Sequence, residues 1–474
     1  MSRESNLVKN TMIITIGKVC TQLVSFLLLP LYTAILSTED YGVVDLLNTL
    51  VALLLPLVTL QIDQALFREL VEVRGNKDRT AEVIKNGMLF VVVQCAIYFM
   101  VFVCLSPWIH NKYKYFLASN VLINALLGVL LQIARGLGNN KGYAMASFFS
   151  ASLTIVFNVI FLVGVKLGAD GMLAATFLGQ LLAAIYLGIS MNIFQYLEIG
   201  KFKKNIITKL LKYSIPLIPN AISWWIIDAS DRVIVSSFLG VSQNGILAAS
   251  LKFASLLTGL NYITTLSWTE SIAVAINDKD IDNYFNKMVD IFLRFYITIS
   301  IGMIACMPFV FPILVNVKYQ TGYGLVPISI MATLFNVVVG LVSVVYVAKK
   351  NTKAIAQTSV MAALINISVH LLLIKHIGLY AAVLSSLIAF FSMSILRVAD
   401  IKKKGYIAIK IQSKLIVSAS VTLVIVLFAY YSGIRLAYYS AFVVTCLFAV
   451  VINKNTFMSI VNMFIGKFRN TKKG

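Results

Sequence analysis

Charge is scarce in this chain. Only 12% of its 474 residues are Asp, Glu, Lys or Arg, about half the share of an ordinary soluble domain. Acids are the scarcer sign, 19 against 40 bases. No long polar stretch interrupts the sequence, which excludes a soluble domain of any size. The three histidines are too few and too scattered for a metal or catalytic cluster. The five cysteines (Cys20, Cys95, Cys104, Cys306 and Cys446) lie in apolar runs without metal or disulfide spacing, and read as small hydrophobic side chains. No GxxxxGK[ST] motif is present, and every connection is too short for a nucleotide-binding domain. Neither a metal nor an organic cofactor is expected.

What is abundant is apolar length. Hydrophobic residues make up 59% of the chain and the mean hydropathy is +0.88. Apolar runs recur from Thr11 to Val451, each near the roughly 20 residues that cross about 30 Å of hydrocarbon. They are continuous rather than alternating, which excludes a porin-like barrel. The expectation is an all-α polytopic membrane protein of about fourteen transmembrane helices, beginning with spans over 11–36 and 41–67. The first run is too long for the apolar stretch of a cleavable leader and reads as a transmembrane helix.

The net charge of +21 could suggest nucleic acid, but its distribution assigns topology instead. Six bases (Lys112, Lys114, Lys166, Lys318, Lys375 and Arg435) fall on one set of alternate connections. Four (Lys18, Arg232, Lys252 and Arg294) fall inside spans, and the other 40 − 6 − 4 = 30 fall on the opposite set. That set includes the loop taken as 397–414 and both termini. The positive-inside rule then places both termini in the cytoplasm. The basic, amphipathic segment 454–474 is expected to lie on the anionic inner leaflet.

The chain also repeats. Leu36-Ser37-Thr38-Glu39-Asp40-Tyr41-Gly42 is echoed 239 − 36 = 203 residues later by Leu239-Gly240-Val241-Ser242-Gln243-Asn244-Gly245. Asn158 and Gly168-Ala169-Asp170-Gly171 match Asn366 and Gly378-Leu379-Tyr380-Ala381 at offsets of 366 − 158 = 208 and 378 − 168 = 210. The pattern predicts two six-helix lobes, 1–200 and 201–400, followed by two further helices in 401–453. A duplicated bundle with a site at the repeat interface is a transporter plan.

Ionisable groups inside spans are costly and mark function by default. Asp228 and Arg232 are spaced i, i+4 in the seventh span, taken as 213–239, and share a helical face. Arg232 and Lys252 are expected roughly 10 Å below the outer surface, each seven residues from the outer end of its span. Lys18 has no acid within four positions. Buried positive charge of this kind suits a phosphate-bearing substrate. An internal salt-bridge network that only fastens helices is the alternative. Arg294 comes early enough in its span to snorkel. Pro56, Pro216 and Pro219 are candidate hinges. Trp224 and Trp225 lie too deep for an interfacial belt and are candidate sugar contacts. Asp63, Asp228 and Asp231 are candidate ion or proton carriers.

The run Pro216-Leu217-Ile218-Pro219-Asn220, followed by Asp231-Arg232, Phe238-Leu239-Gly240, Gly245 and Lys252, resembles the signature of the polysaccharide-transport family. These are O-antigen-type flippases of the multidrug/oligosaccharidyl-lipid/polysaccharide exporter superfamily. Pro30-Leu31-Tyr32, Tyr41-Gly42 and Ala65-Leu66-Phe67-Arg68 look like matching elements in the first half, and add Arg68 to the cationic set. The resemblance spans essentially the whole chain. It implies two six-helix lobes around a cationic cavity in the bacterial cytoplasmic membrane. It further implies export of undecaprenyl-diphosphate-linked oligosaccharide by alternating access, with membrane lipids and the pathway's glycosyltransferases and polymerase as candidate partners. A lipid II flippase and a multidrug exporter of the same superfamily stay open as alternatives. A membrane polymerase or ligase is disfavoured by the short outer loops.

Overall fold

The computed structural model describes residues 26–349, 351–410 and 412–454. Lys18 and the basic segment after Lys454 lie outside the described residues. Every element among the described residues is helical, as hydrocarbon demands of a spanning backbone that must satisfy its own polar groups. In chain order these are α1 (Leu29–Ile35), α2 (Thr38–Val58), α3 (Ile62–Glu72), α4 (Lys77–Leu105), α5 (Lys114–Gly136) and α6 (Asn140–Val159). There follow α7 (Gly168–Ser190), α8 (Ile193–Ile199), α9 (Lys204–Ser214), α10 (Ile218–Phe238), α11 (Val241–Ala275) and α12 (Ile281–Leu314). The last are α13 (Val326–Ala348), α14 (Thr352–Ile377), α15 (Tyr380–Lys403), α16 (Ser413–Ser432) and α17 (Arg435–Ile452).

Twelve helices among the described residues are long and apolar enough to cross a membrane. Two expected spans are not among them. The first lies largely in residues 1–25, outside the described residues. The seventh is α10, whose 21 residues have the length of a span; each of its 18-residue windows contains Asp228, Asp231 and Arg232, too much charge for a purely apolar criterion.

Two departures from the expected spans bear on the buried core and its charges. The run 41–67 does not form one helix: α2 ends at Val58, and Leu60 (φ 50°) and Gln61 (φ 55°) turn the chain in left-handed conformations. Such residues cost about 1–2 kcal/mol each. The helix that follows, α3, buries Ile62, Leu66 and Leu70 completely in a core with Ile84, Leu130, Ile133 and Leu187. Fully burying one such side chain is worth about 1.5–3 kcal/mol, so three outweigh two strained residues. At the other end of the chain, Arg397 is not in a loop. It lies within α15 and is 1% exposed.

The internal repeat is visible in bonding as well as sequence. Asn86 of α4 donates to the Lys201 carbonyl (2.8 Å) and to its own helix at Glu82 (2.8 Å), and accepts from the Lys203 amide (2.9 Å). Asn286 of α12 donates to Ala408 (2.8 Å) and Asp282 (2.6 Å), and accepts from the Lys410 amide (2.7 Å). One asparagine in each half thus fastens the start of a long helix to the chain that leaves the bundle. Each satisfies backbone groups that no helix would pair.

Contacts divide the chain into two compact units. Unit 1 runs to Ala248 and includes Ile367–Ala382; unit 2 comprises Ala249–Asn366 and the chain from Val383. The divisions fall inside α11, α14 and α15, so the final turns of α14 pack with unit 1. Within unit 1 the repeated glycines meet. A Cβ on Gly42 would collide with the Val241 carbonyl, and one on Gly245 with the Thr38 carbonyl. Residues 38 and 241, like 42 and 245, are 203 apart, so the contact is reciprocal and reflects the repeat. Only glycine permits backbones this close. Thr38 Oγ1 and Ser242 Oγ (2.7 Å) close the same junction.

Candidate functional site

The polar cluster of unit 1 is built on α10, α2, the first turns of α11 and the final turns of α14. Packing of α10 on α2 is fixed by Trp225, whose indole Nε1 donates to the Thr49 carbonyl (2.9 Å). Trp225 therefore serves as a fastening, with its ring half-buried; Trp224 is half-buried beside it.

Seven residues further along α10, Arg232 Nε meets Asp45 Oδ2 of α2 at 3.0 Å, with about a fifth of each side chain exposed (20% and 22%). Its Nη1 donates to the Asp228 carbonyl (2.7 Å). The i, i+4 spacing is thus realised through the Asp228 backbone, and the carboxylate paired with Arg232 comes from another helix. The Asp228 side chain is exposed. Asn244 of α11 ties the pair down, donating to the Gly42 carbonyl (3.0 Å) and lying 3.4 Å from Asp45 Oδ2. A guanidinium held this way keeps some donors free of its carboxylate, the form in which Arg recognises phosphate.

The neighbouring residue faces the other way. Asp231 is 6% exposed, and its Oδ1 lies 2.7 Å from Nδ1 of His370, which is fully buried on α14. Histidine scarcity in the sequence gave no reason to single out His370. Asp45 could have been found by the same rule that flags any ionisable group in a span, and Asn244 belongs to the repeated motif.

The remaining candidates lie elsewhere. Asp63 and Arg68 are on α3, engaged with Gln64 (2.9 Å) and with Glu72 (3.5 Å) and the Tyr213 ring (4.5 Å) respectively. Glu69, on the same helix, holds Lys209 of α9 at 2.6 Å. This hydrogen bond raises the proton affinity of the Lys209 ammonium above its ordinary value. Pro56 is buried in the last turns of α2, while Pro216 sits in the turn before α10 and Pro219 in its first turn. Those two occupy positions where a missing N–H costs little, and they mark the join of α9 to α10. Lys252 is half-buried on α11 within unit 2.

Unit 2 holds a buried cation of its own. Arg397 donates to Thr358 Oγ1 (3.0 Å), Ser359 Oγ (3.1 Å), the Ile355 carbonyl (3.4 Å) and Ser343 Oγ. Hydroxyls and a carbonyl from α13 and α14 thus occupy its fork. Arg294 reaches Asp290 (2.8 Å), Gln412 (2.8 Å) and the carbonyl of Ile452 at the end of α17 (2.9 Å). The helix begins at Ile281, so Arg294 lies well inside α12 and is held by these partners rather than by a place at the helix start. No group of three or more potential metal ligands occurs among the described residues.

Comparison with known proteins gives a family and a fold. The family model described as "Polysaccharide biosynthesis protein" matches residues 7–269. The structure is similar to that of the lipid II flippase MurJ in an inward closed conformation: TM-score 0.71, 14% identity, 95% of this chain and 100% of that one. It is similar to an inward-facing multidrug resistance MATE family transporter of the MOP superfamily (TM-score 0.63, 12% identity, 82% and 98%). A MOP superfamily transporter from Pyrococcus furiosus also matches (TM-score 0.56, 12% identity, 83% and 96%). No curated protein sequence matches the chain.

Proposed function

We propose, from the premise that this chain belongs to the polysaccharide biosynthesis protein family, that it moves a diphosphate-linked lipid oligosaccharide from the inner to the outer leaflet. The membrane would be the bacterial cytoplasmic membrane, with both termini in the cytoplasm, as the thirty-to-six division of basic residues supports. The observation that carries the reading is Arg232. It is a guanidinium inside a membrane-length helix, partly exposed and stabilised by a carboxylate on a second helix. Lys18 and Lys252 join it as candidate diphosphate contacts. Arg68 is a weaker candidate, because Glu72 and Tyr213 already engage it. The lipid tails stay in the bilayer, since burying them in a wet cavity would forfeit their apolar environment. The two lobes of the repeat, 1–200 and 201–400, supply the elements for alternating access. Glycosyltransferases and a polymerase of the same pathway are the proposed partners.

The likeness to the lipid II flippase fold favours one second reading, transport of a peptidoglycan precursor. Lipid extraction from cells lacking the protein separates the two. A diphosphate-linked oligosaccharide without a peptide should accumulate. Accumulation of a peptide-bearing disaccharide would support the second reading, and no accumulation of either would exclude both.

A further inference from the structure

We infer that one face of α5, together with Gln180 of α7, is a sugar-binding surface that receives the hydroxyl groups of a glycan. Which lipid brings the glycan rests on the transport reading above; recognition of sugar rests on α5 and α7 themselves.

Asn120, Asn124, Gly128 and Gln132 follow one another at four-residue steps on α5, and Arg135 closes the row. Such spacing puts them on one helical ridge, about 12 Å long from Asn124 to Gln132 at 1.5 Å per residue. α5 is an inner helix of unit 1, packed against α2, α3, α4, α6 and α7. Where α4 leaves Val92, Ile97, Met100 and Val103 exposed, every residue of α5 from Phe116 to Gly136 is buried or half-buried. Asn124, Gly128, Gln132 and Arg135 are among the half-buried ones. A Cβ on Gly128 would meet nothing within 4 Å beyond its own turn of helix, so the ridge has open space at its middle. Amides with groups left to bond would be costly against hydrocarbon, and in a membrane helix they mark a hydrated face.

The bonds already made fix what this ridge has left to offer. Asn124 Nδ2 donates to the Asn120 carbonyl (2.8 Å) and to Gln180 Oε1 (2.7 Å). A backbone carbonyl only accepts, so the bonded atom of Asn124 is its nitrogen and that of Gln180 its oxygen. Arg135 only donates, so the atom its Nη1 meets on Gln132 is Oε1 (3.0 Å). The rings of Phe67 (4.6 Å) and Tyr143 (5.6 Å) hold that guanidinium in place. Left over are the Asn124 oxygen as an acceptor and the Gln132 and Gln180 amide nitrogens as donors, none of them partnered among the described residues. At the head of the row Asn120 Oδ1 is a buried acceptor without a partner, an atom that calls for water or a ligand. Sugar hydroxyls both donate and accept. A row mixing the two senses therefore suits a hydroxylated chain, whereas an anion would need donors alone. A bond that served only to tie α5 to α7 would need Asn124 and Gln180, but neither Gln132 nor the space at Gly128.

The test uses the full chain in lipid nanodiscs and three probes. These are the lipid-linked oligosaccharide extracted from cells lacking the protein, the glycan released from it, and a polyprenyl diphosphate without sugar. Gln132→Met keeps the side-chain length and removes the amide; Gly128→Leu fills the open space. Both variants should melt at or above the wild-type temperature, since methionine and leucine are good helix formers and neither meets a packed neighbour at its Cβ position in the case of Gly128. Each should bind the glycosylated lipid about tenfold more weakly, while binding the sugar-free diphosphate as the wild type does. Equal losses for the two lipids, or no loss for the glycosylated lipid in either variant, would overturn the sugar surface. Contact of the released glycan with the wild type, seen by saturation-transfer NMR and lost in Gly128→Leu, would support the surface even if neither lipid bound. That last combination would refute the transport reading alone.

Discussion

Arg397 and Arg232 both lie within membrane-length helices of this protein, and their surroundings differ. Arg397, in unit 2, is 1% exposed and directs its donors at three hydroxyls and a carbonyl from neighbouring helices. Arg232, in unit 1, is about a fifth exposed, pairs with Asp45 and adjoins a buried carboxylate–imidazole pair. The depth of a charge in the bilayer thus does not separate structure from function. What separates them is whether the donors are already occupied and whether anything else can reach the group. Arg397 fastens helices; for Arg232, which pairs with Asp45 and stays about a fifth exposed, the proposed role is to bind an anion.

The comparison can be broken most forcefully at Arg397. Arg397→Ala should destabilise the protein by on the order of 3–5 kcal/mol, from unpartnered hydroxyls and a cavity. Thermal unfolding in detergent reads this directly, and a stability like that of the wild type would remove the structural role. The two asparagine fastenings come next. Asn86→Ala and Asn286→Ala should each cost about 1–3 kcal/mol. The two losses should be similar, since each side chain makes the same three bonds; a loss in one alone would show that the repeat has diverged in energy while keeping its geometry.

Arg232→Ala should behave in the opposite sense to Arg397→Ala. Its partly exposed pair is worth about 1 kcal/mol or less, so the protein should melt near the wild-type temperature while export is lost. Arg232→Lys should recover export only in part, because an ammonium cannot reproduce the fork. The smallest effect is expected at Arg68. Arg68→Ala should change stability by less than about 0.5 kcal/mol, as its exposed partner Glu72 suggests, and a large loss of export there would promote it from weak candidate to substrate contact.

Much of the fold was legible because hydrocarbon leaves few choices. Continuous apolar length gave the helices, and the 203-residue echo around Gly42 and Gly245 marked a contact the two residues make with each other. The break after Val58 was not legible. Leu60 and Gln61 carry no mark of a left-handed turn, and the amphipathic pattern of α3 was absorbed into an apolar run. Arg397 was hidden by the bases that follow it, Lys402, Lys403 and Lys404, which made the segment read as loop. At the site, Arg232, Asp228 and Asp231 stood out as charges in a span. Their partners did not, because Asp45 and His370 lie 232 − 45 = 187 and 370 − 231 = 139 residues away and only folding brings them near. Spacing along one helix suggested Asp228 as the mate of Arg232, whereas the cross-helix carboxylate of Asp45 is the one that meets it.

The most direct test of the cationic site is the leaflet on which the lipid-linked oligosaccharide resides in cells carrying Arg232→Ala as their sole copy, at matched levels of folded protein. Sugar exposed at the outer surface is read with a membrane-impermeant oxidant. The account predicts outer exposure with the wild type and retention on the inner leaflet with Arg232→Ala; equal outer exposure in both would contradict it.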